Sequence, residues 1–238
     1  MRKLRKTAGF LLDMIYPKKC PLCHEVLKDR NKLLCGKCAG KIRPFSRSLC
    51  MKCGKPVKME EEYCVVCREG GHYFTEGRSI FPYGEIWRQS LIRFKYYGCR
   101  EYGDFYAKAM SVYGRRYLER WKPQLIVPVP LHPAKKRMRG FNQAAYLAER
   151  LSCYTGIPWT DSLVLKIRNT RSQKKLDALQ RRNNLRKAYE VTHKLDDISI
   201  LVVDDVYTTG STMDAMAICL TEAGAQAVYF LTVCAGRQ

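Results

Sequence analysis

Residues 200–213, Ile-Leu-Val-Val-Asp-Asp-Val-Tyr-Thr-Thr-Gly-Ser-Thr-Met, limit the architecture of this chain more than any other stretch. Ile200 to Val203 form an unbroken β-favouring apolar run, which reads as a strand buried on both faces, the habit of parallel sheets. Asp204 and Asp205 stand where that strand is expected to end. The turn Thr208-Thr209-Gly210-Ser211-Thr212 then opens an expected helix over 213–223. Open parallel sheets bind ligands beyond the carboxyl ends of their strands. A helix N-terminus presents free N–H groups and a positive dipole end to a phosphate, and Gly210 allows the backbone a close approach. Carboxylates repel phosphate, so the acid pair must serve another part of the ligand. Two vicinal sugar hydroxyls are donors and suit that role. A ribose 5-phosphate fits the whole order of groups. The plain alternative is a buried strand and a capped helix with two incidental carboxylates.

The N-terminal third is organised by cysteine. Eight of the twelve cysteines form four CxxC pairs, Cys20/Cys23, Cys35/Cys38, Cys50/Cys53 and Cys64/Cys67. Each CxxC turn offers two sulfurs to one tetrahedral ion, so four pairs make two sites. Large apolar residues are scarce here, and the segment needs metal to fold. Structural zinc is the expected ion, with sequential pairing preferred over interleaved; rubredoxin-like iron is the alternative that sequence does not separate. Disulfides are disfavoured because nothing indicates secretion, and a redox CxxC is normally a single pair. The isolated Cys99, Cys153, Cys219 and Cys234 read as small core hydrophobes.

Charge is the other global constraint. The chain carries 43 Lys and Arg against 22 Asp and Glu, a formal +21. Fourteen basic residues fall between Lys135 and Lys187, opposed by Glu149, Asp161 and Asp177 alone. Such density suits a polyanion, either a pyrophosphate or a nucleic-acid backbone; a solvated charged face is the bland reading. No apolar run reaches transmembrane length. The start imitates a signal peptide, but Asp13 interrupts its apolar part and no cleavage site precedes Tyr16-Pro17. Leu4, Leu11, Leu12 and Ile15 fit an amphipathic helix instead, and the cytoplasm is the expected compartment.

Three units are expected: an N-terminal helix over 1–17, a double zinc ribbon over 18–71 and an α/β domain over 72–238. In the last, apolar periodicity predicts helices over 83–97, with one notable lysine at Lys95, then over 102–118 and 142–154. The 142–154 helix should turn Ala145, Leu147, Ala148 and Leu151 inward. Strands are expected at 125–129, 198–203 and 227–234, the last two joined by the 213–223 helix in a right-handed β-α-β unit. Residues 166–187 lack a clean period and read as an extended excursion or flap.

The 200–213 block resembles the signature of type I phosphoribosyltransferases. The wider set, CxxC array, Val127-Pro-Val-Pro-Leu-His-Pro133, Arg137-Met-Arg-Gly-Phe-Asn-Gln143, then Thr170, Gln173, Leu176, Arg181 and Asn184, resembles the ComF family of competence-associated bacterial proteins. The resemblance covers essentially the whole chain. It implies an α/β fold: a type I phosphoribosyltransferase-like parallel sheet with helices on both faces, preceded by a small zinc-ribbon domain. It further implies phosphoribosyl pyrophosphate with Mg²⁺ as ligand. Asp204 and Asp205 would hold the ribose hydroxyls, and Thr208, Thr209, Gly210, Ser211 and Thr212 the 5-phosphate. The segment 129–140 would be the pyrophosphate loop, with Arg137 and Arg139 as charge partners. Lys166, Arg168, Gln173 and Arg181 would belong to a hood loop. Arg137 as a surface charge and Asn142 as an N-cap are the alternatives there.

Two departures narrow the function. Lys166 replaces an expected arginine and gives up bidentate geometry. Thr208 stands where many purine-using relatives carry an acid, and threonine cannot assist deprotonation of a base. Three function classes follow: a phosphoribosyltransferase with an unknown acceptor, a protein that handles single-stranded DNA in competence, and a zinc-ribbon adaptor for a DNA-uptake helicase. As stacking platforms for DNA, Tyr96, Tyr97 and Trp159 compete with the reading of each as a buried aromatic.

Overall fold

The computed structural model describes residues 17–46, 48–167 and 188–236. After one-turn helices α1 (Gly36–Ala39) and α2 (Val65–Arg68), the chain runs β1 (Glu76–Pro82), α3 (Glu85–Tyr96), α4 (Tyr102–Tyr113), α5 (Arg115–Trp121) and β2 (Leu125–Pro128). It continues through α6 (Pro133–Arg139), α7 (Gln143–Thr155), β3 (Val164–Lys166), β4 (Tyr189–Val191), β5 (Ser199–Tyr207), α8 (Ser211–Glu222) and β6 (Ala227–Ala235). Four strands form a sheet in the order β1-β6-β5-β2, every pair parallel. β3 and β4 make a separate antiparallel pair.

Both faces of the sheet are covered, as the apolar run 200–203 requires. Leu201 and Val203 share one core with Leu91 and Phe94 of α3, Tyr106 and Met110 of α4, and Leu147 and Leu151 of α7. Ile200 and Val202 point the other way, into a core with Met213, Met216 and Leu220 of α8. Strand side chains alternate between faces, so four consecutive apolar residues supply two cores. Each such side chain contributes about 1.5–3 kcal/mol when fully buried.

The cysteine units pack on opposite faces. Cys20 and Cys38 join the α3–α4 core, where the Ser90 hydroxyl donates to the Pro21 carbonyl. Cys50, Cys53 and Cys67 join the α8 core beside Phe74 and Phe230. The chain between them runs along β1: Phe45 N–H donates to Ile80 O at 2.9 Å, and Gly77 N–H to Lys52 O at 2.7 Å. Gly77 makes room for an aromatic cluster, since a Cβ there would lie 2.0 Å from the Phe230 ring.

Several elements differ from expectation. Strand β5 does not end at the acid pair but continues to Tyr207, because β6 keeps pairing with it as far as Tyr207↔Ala235. The expected 102–118 helix is two helices broken at Gly114, a poor helix residue whose missing side chain leaves space for Leu231. Ala144, not Ala145, is the buried alanine at the start of α7, one position earlier on the stripe. Helix α6 occupies the expected loop 129–140. His132 caps it by accepting from Ala134 N–H at 3.3 Å, Pro133 opens it, and left-handed Gly140 ends it. β1 and the β3–β4 pair had no counterpart in the periodicity. Of the isolated cysteines, Cys219 and Cys234 are buried, Cys99 is half-buried and Cys153 is exposed. Tyr96 and Tyr97 are exposed, not buried. The expected 1–17 helix lies outside the described residues except for Pro17, and so does residue span 168–187 of the excursion.

Candidate functional site

The acid pair lies near the carboxyl end of the central strand β5, with one carboxylate in each electrostatic environment. Asp205 is almost wholly buried and forms an ion pair with Lys95 of α3. Asp204 is partly exposed, and its Oδ1 accepts from the Asp205 N–H at 2.8 Å. Burial, and then the neighbouring Asp205, push the Asp204 carboxyl well above its ordinary range, against the pull of Lys95. Burial alone would lower the Lys95 ammonium, but Asp205 and then Asp204 more than offset it and raise it.

Cations close around this pair. Burial and Lys135 lower the Lys166 ammonium while Asp204 opposes them, so β3, α6 and β5 share one field. Arg139 stands near enough to Lys95 for its like charge to oppose protonation there. Its guanidinium donates to Gln143 Oε1 at 2.8 Å and Tyr96 Oη at 2.7 Å, and lies 4.8 Å from the Tyr96 ring centre. Arg137 is exposed on the same helix. Asn142 caps α7 by accepting from Ala144 N–H at 3.0 Å, and its side-chain amide donates to Val129 O at 3.1 Å, tying α7 to the end of β2.

Beyond β5 the chain turns through exposed Thr208 and Thr209 to buried Gly210. Gly210 is left-handed, φ +92°, and a Cβ there would lie 2.5 Å from the His72 ring. Thr209 and Ser211 hydroxyls are 3.0 Å apart, and Ser211 and Thr212 are exposed in the first turn of α8. This turn is braced from behind. Buried His72 sits between Asp214 Oδ2, 2.9 Å from Nδ1, and Tyr207 Oη, 3.3 Å from Nε2. Asp214 Oδ1 also accepts from Tyr73 N–H at 2.9 Å, and Lys52 Nζ donates to His72 O at 2.8 Å. The second cysteine unit and the turn thus share one buried network.

The eight cysteines gather as Cys20, Cys23, Cys35, Cys38 and as Cys50, Cys53, Cys64, Cys67, the sequential pairing. Within each tetrad all sulfurs lie within 4.8 Å of one another. Cys23 and Cys35 Sγ are 3.7 Å apart, and Cys53 and Cys64 Sγ 3.6 Å. Tetrahedral zinc with bonds of about 2.3 Å requires sulfurs about 3.8 Å apart, so the donor sets fit. The tetrads indicate structural zinc.

Against this geometry, the comparisons are specific. The phosphoribosyl transferase domain family matches residues 111–238, and the double zinc ribbon domain family residues 11–68. This chain belongs to the phosphoribosyl transferase domain family. Its transferase domain follows a double zinc ribbon, and its homologues carry competence and DNA utilization names. DNA utilization protein YhgH of Salmonella typhimurium is 28% identical over 221 residues, 92% of this chain and 97% of that protein. Competence protein F of Haemophilus influenzae is 27% identical, covering 88% and 93%. Competence protein ComFC of Bacillus subtilis is 28% identical, covering 84% and 82%. The ComF assignment therefore stands. Among the described residues, no helix is long and apolar enough to cross a membrane.

Of the residues singled out from sequence, Asp204, Asp205, Arg139, Lys166 and the turn 208–212 fall in one region around the end of β5. Arg168, Gln173 and Arg181 lie outside the described residues. Sequence reasoning noticed Lys95 without placing it at the acid pair. The usable signal was its spacing: four residues after Leu91, it shares the apolar face of α3. His72 was missed altogether, because its partners Tyr207 and Asp214 are 135 and 142 positions away.

Proposed function

We propose that the protein binds phosphoribosyl pyrophosphate, or another ribose 5-phosphate, at the end of β5, and that this site serves the handling of single-stranded DNA during natural transformation. One observation carries the ligand reading: a carboxylate pair, with Lys95 of α3 ion-paired to Asp205, and a left-handed glycine turn at a helix start share one strand end. Asp204 and Asp205 accept from the ribose hydroxyls, residues 208–212 wrap the 5-phosphate, and Arg137 and Arg139 face the pyrophosphate. Lys166, with Arg168, Gln173 and Arg181, completes the anion site. Lys95 neutralises Asp205 and holds it in place. Mg²⁺ prefers hard oxygen ligands; because Lys95 already occupies Asp205, the ion would be held chiefly by diphosphate oxygens, where it neutralises charge.

Turnover, where an acceptor exists, is pentosyl transfer. The bond from the anomeric carbon to pyrophosphate breaks, the electron pair leaves with pyrophosphate and a bond from the acceptor to that carbon forms, while charge neutralisation and positioning lower the barrier. No protein nucleophile is required. Thr208 offers no base, so the acceptor must lose its proton elsewhere, as in an amidophosphoribosyltransferase-like reaction. The DNA reading draws on the +21 charge and on relatives named for competence and DNA utilization. A zinc-ribbon adaptor for a DNA-uptake helicase is the reading that remains if neither ligand binds. We place this work in the cytoplasm and divide it between a ribbon unit, 18–71, and a transferase-like unit, 72–238.

The test is calorimetric titration with phosphoribosyl pyrophosphate, with and without Mg²⁺. Asp204→Asn combined with Asp205→Asn should abolish Mg²⁺-dependent binding while circular dichroism shows a folded chain. Unchanged affinity in a folded double variant rejects the ligand assignment.

A further inference from the structure

A second cationic surface lies along the β1 edge of the sheet. There residues 43–46 and Leu49, strand β1, the end of α4 and helix α5 enclose a groove of about 720 Å³, and a smaller hollow of about 300 Å³ continues it past Tyr117. No residue of either belongs to the acid-pair cleft or to the basic stretch 135–187.

The groove is rich in guanidinium and poor in carboxylate. Arg43, Arg78, Arg115, Arg116 and Arg120 line the two hollows, against Glu119 in the groove and Glu76 beside them. Glu76 is shared between Arg78 and Arg120, and Glu119 pairs with Arg115. Arg43 donates to the Gly40 and Ile42 carbonyls, and Arg116 to the Tyr117 hydroxyl. Among the described residues, neither has a carboxylate partner. Three guanidinium carbons, of Arg116, Arg78 and Arg120, lie 4.5, 4.7 and 5.6 Å from the centre of the Tyr117 ring. Burial would raise the Tyr117 phenol, but hydrogen bonds from Arg116 and Arg78, and then their charges, reverse this and hold it below its ordinary value. Arg78 is 4% exposed, and its Nε has no hydrogen-bond partner.

Aromatic surface accompanies the charge. Tyr113 is 44% exposed at the end of α4, and Phe45 is half-buried on the opposite wall. A free phosphate needs neither ring nor this volume. A duplex hides its base faces, whereas an unpaired strand offers each base to a ring and each phosphate to a guanidinium.

We infer that the groove along β1 holds a segment of single-stranded DNA, with phosphates on Arg43, Arg115 and Arg116 and a base against Tyr113. The identity of the polymer rests on the DNA-handling reading above; the groove itself does not depend on the sugar-phosphate cleft.

The experiment is fluorescence anisotropy of a labelled oligothymidylate with the zinc-loaded full chain, across a salt series. Arg43→Ala with Arg116→Ala should weaken binding and flatten the plot of log affinity against log salt by about 1.4, for two single-strand phosphate contacts. Tyr113→Ala should weaken it about tenfold with the salt slope unchanged, and Tyr113→Phe should restore it. Titration with phosphoribosyl pyrophosphate in the same variants should give native affinity, which reports an intact fold. Native DNA affinity in the arginine variant overturns the groove assignment and leaves the DNA reading standing. Displacement of the strand by polyglutamate as readily as by unlabelled oligothymidylate also overturns it, since the surface would then be an acidic-protein dock. A native chain that binds no single strand at low salt overturns the groove and the DNA reading together.

Discussion

Asp204 and Asp205 are adjacent, yet removing charge from each has a different consequence. The Asp204 carboxyl is raised above its ordinary value of 3.8 by burial and by Asp205. The folded chain therefore holds that proton more tightly than the unfolded chain. Stability from this group is present below 3.8 and is lost as pH rises through the folded value. The penalty grows as pH rises above 3.8, so Asp204→Asn should raise the thermal midpoint at pH 7, and the gain should shrink as the buffer approaches pH 4. The same variant should lose phosphoribosyl pyrophosphate in calorimetry, since the amide is a poorer acceptor for ribose hydroxyls. A variant that is less stable at pH 7 would contradict this. Asp205 depends on Lys95 instead. Lys95→Met removes the ammonium paired with a nearly buried carboxylate and should cost about 3 kcal/mol in urea unfolding. Asp205→Asn in the Lys95→Met background should recover part of that loss, because the unpaired charge is gone.

The turn between β5 and α8 shows how an element can be held from outside its own segment. Gly210 combines φ +92° with a His72 ring that a Cβ would meet at 2.5 Å, so Gly210→Ala meets backbone strain and a clash together. It should cost at least about 1–2 kcal/mol, the left-handed penalty alone, and weaken sugar-phosphate binding more than any single threonine substitution in the turn. His72→Ala removes the partner of Asp214 Oδ2 and of the Tyr207 hydroxyl in the interior and should cost about 2 kcal/mol. Its ligand affinity should fall although His72 faces away from the exposed side of the turn; unaltered affinity would show that the turn keeps its shape unaided. Much of this element was legible beforehand: β5, α8 and β6 announce themselves by an apolar run, a helix start and a second apolar run. The brace was not, because nothing local to His72 marks it. The error at α6 was of another kind. Its signals, Pro133 at the first turn and Gly140 at the end, stand in the sequence, but the family resemblance implies a loop over the same residues. Strand β1 was hidden because Gly77, Arg78 and Ser79 break the apolar pattern; their burial comes from the aromatic cluster, the ribbon and Thr232, whose hydroxyl lies 2.7 Å from that of Ser79.

At the scale of the whole molecule, the two tetrads sit in two different cores, and this predicts unequal effects. The purified chain should carry close to two zinc ions by mass spectrometry, and Cys20→Ser and Cys53→Ser should each lose one. Only Cys53→Ser should also impair sugar-phosphate binding, because the second tetrad adjoins Tyr207 and the His72 brace while the first packs beneath α3. Equal effects, or full metal content in either variant, would argue against this division. The +21 charge and the scarcity of apolar residues in the ribbons were plain in the sequence, but their folding onto opposite faces was not, since it depends on contacts such as Ser90 to Pro21. The hydrogen bonds from Phe45 to Ile80 and from Gly77 to Lys52 have one more consequence. β1 is the outermost strand on its side of the sheet. Its free backbone groups would be a template for a second molecule if nothing lay across them. The ribbon segment lies across them, so in a zinc-starved cell a loosened ribbon would bare that edge, and clumping, edge against edge, would accompany the loss of its ligand.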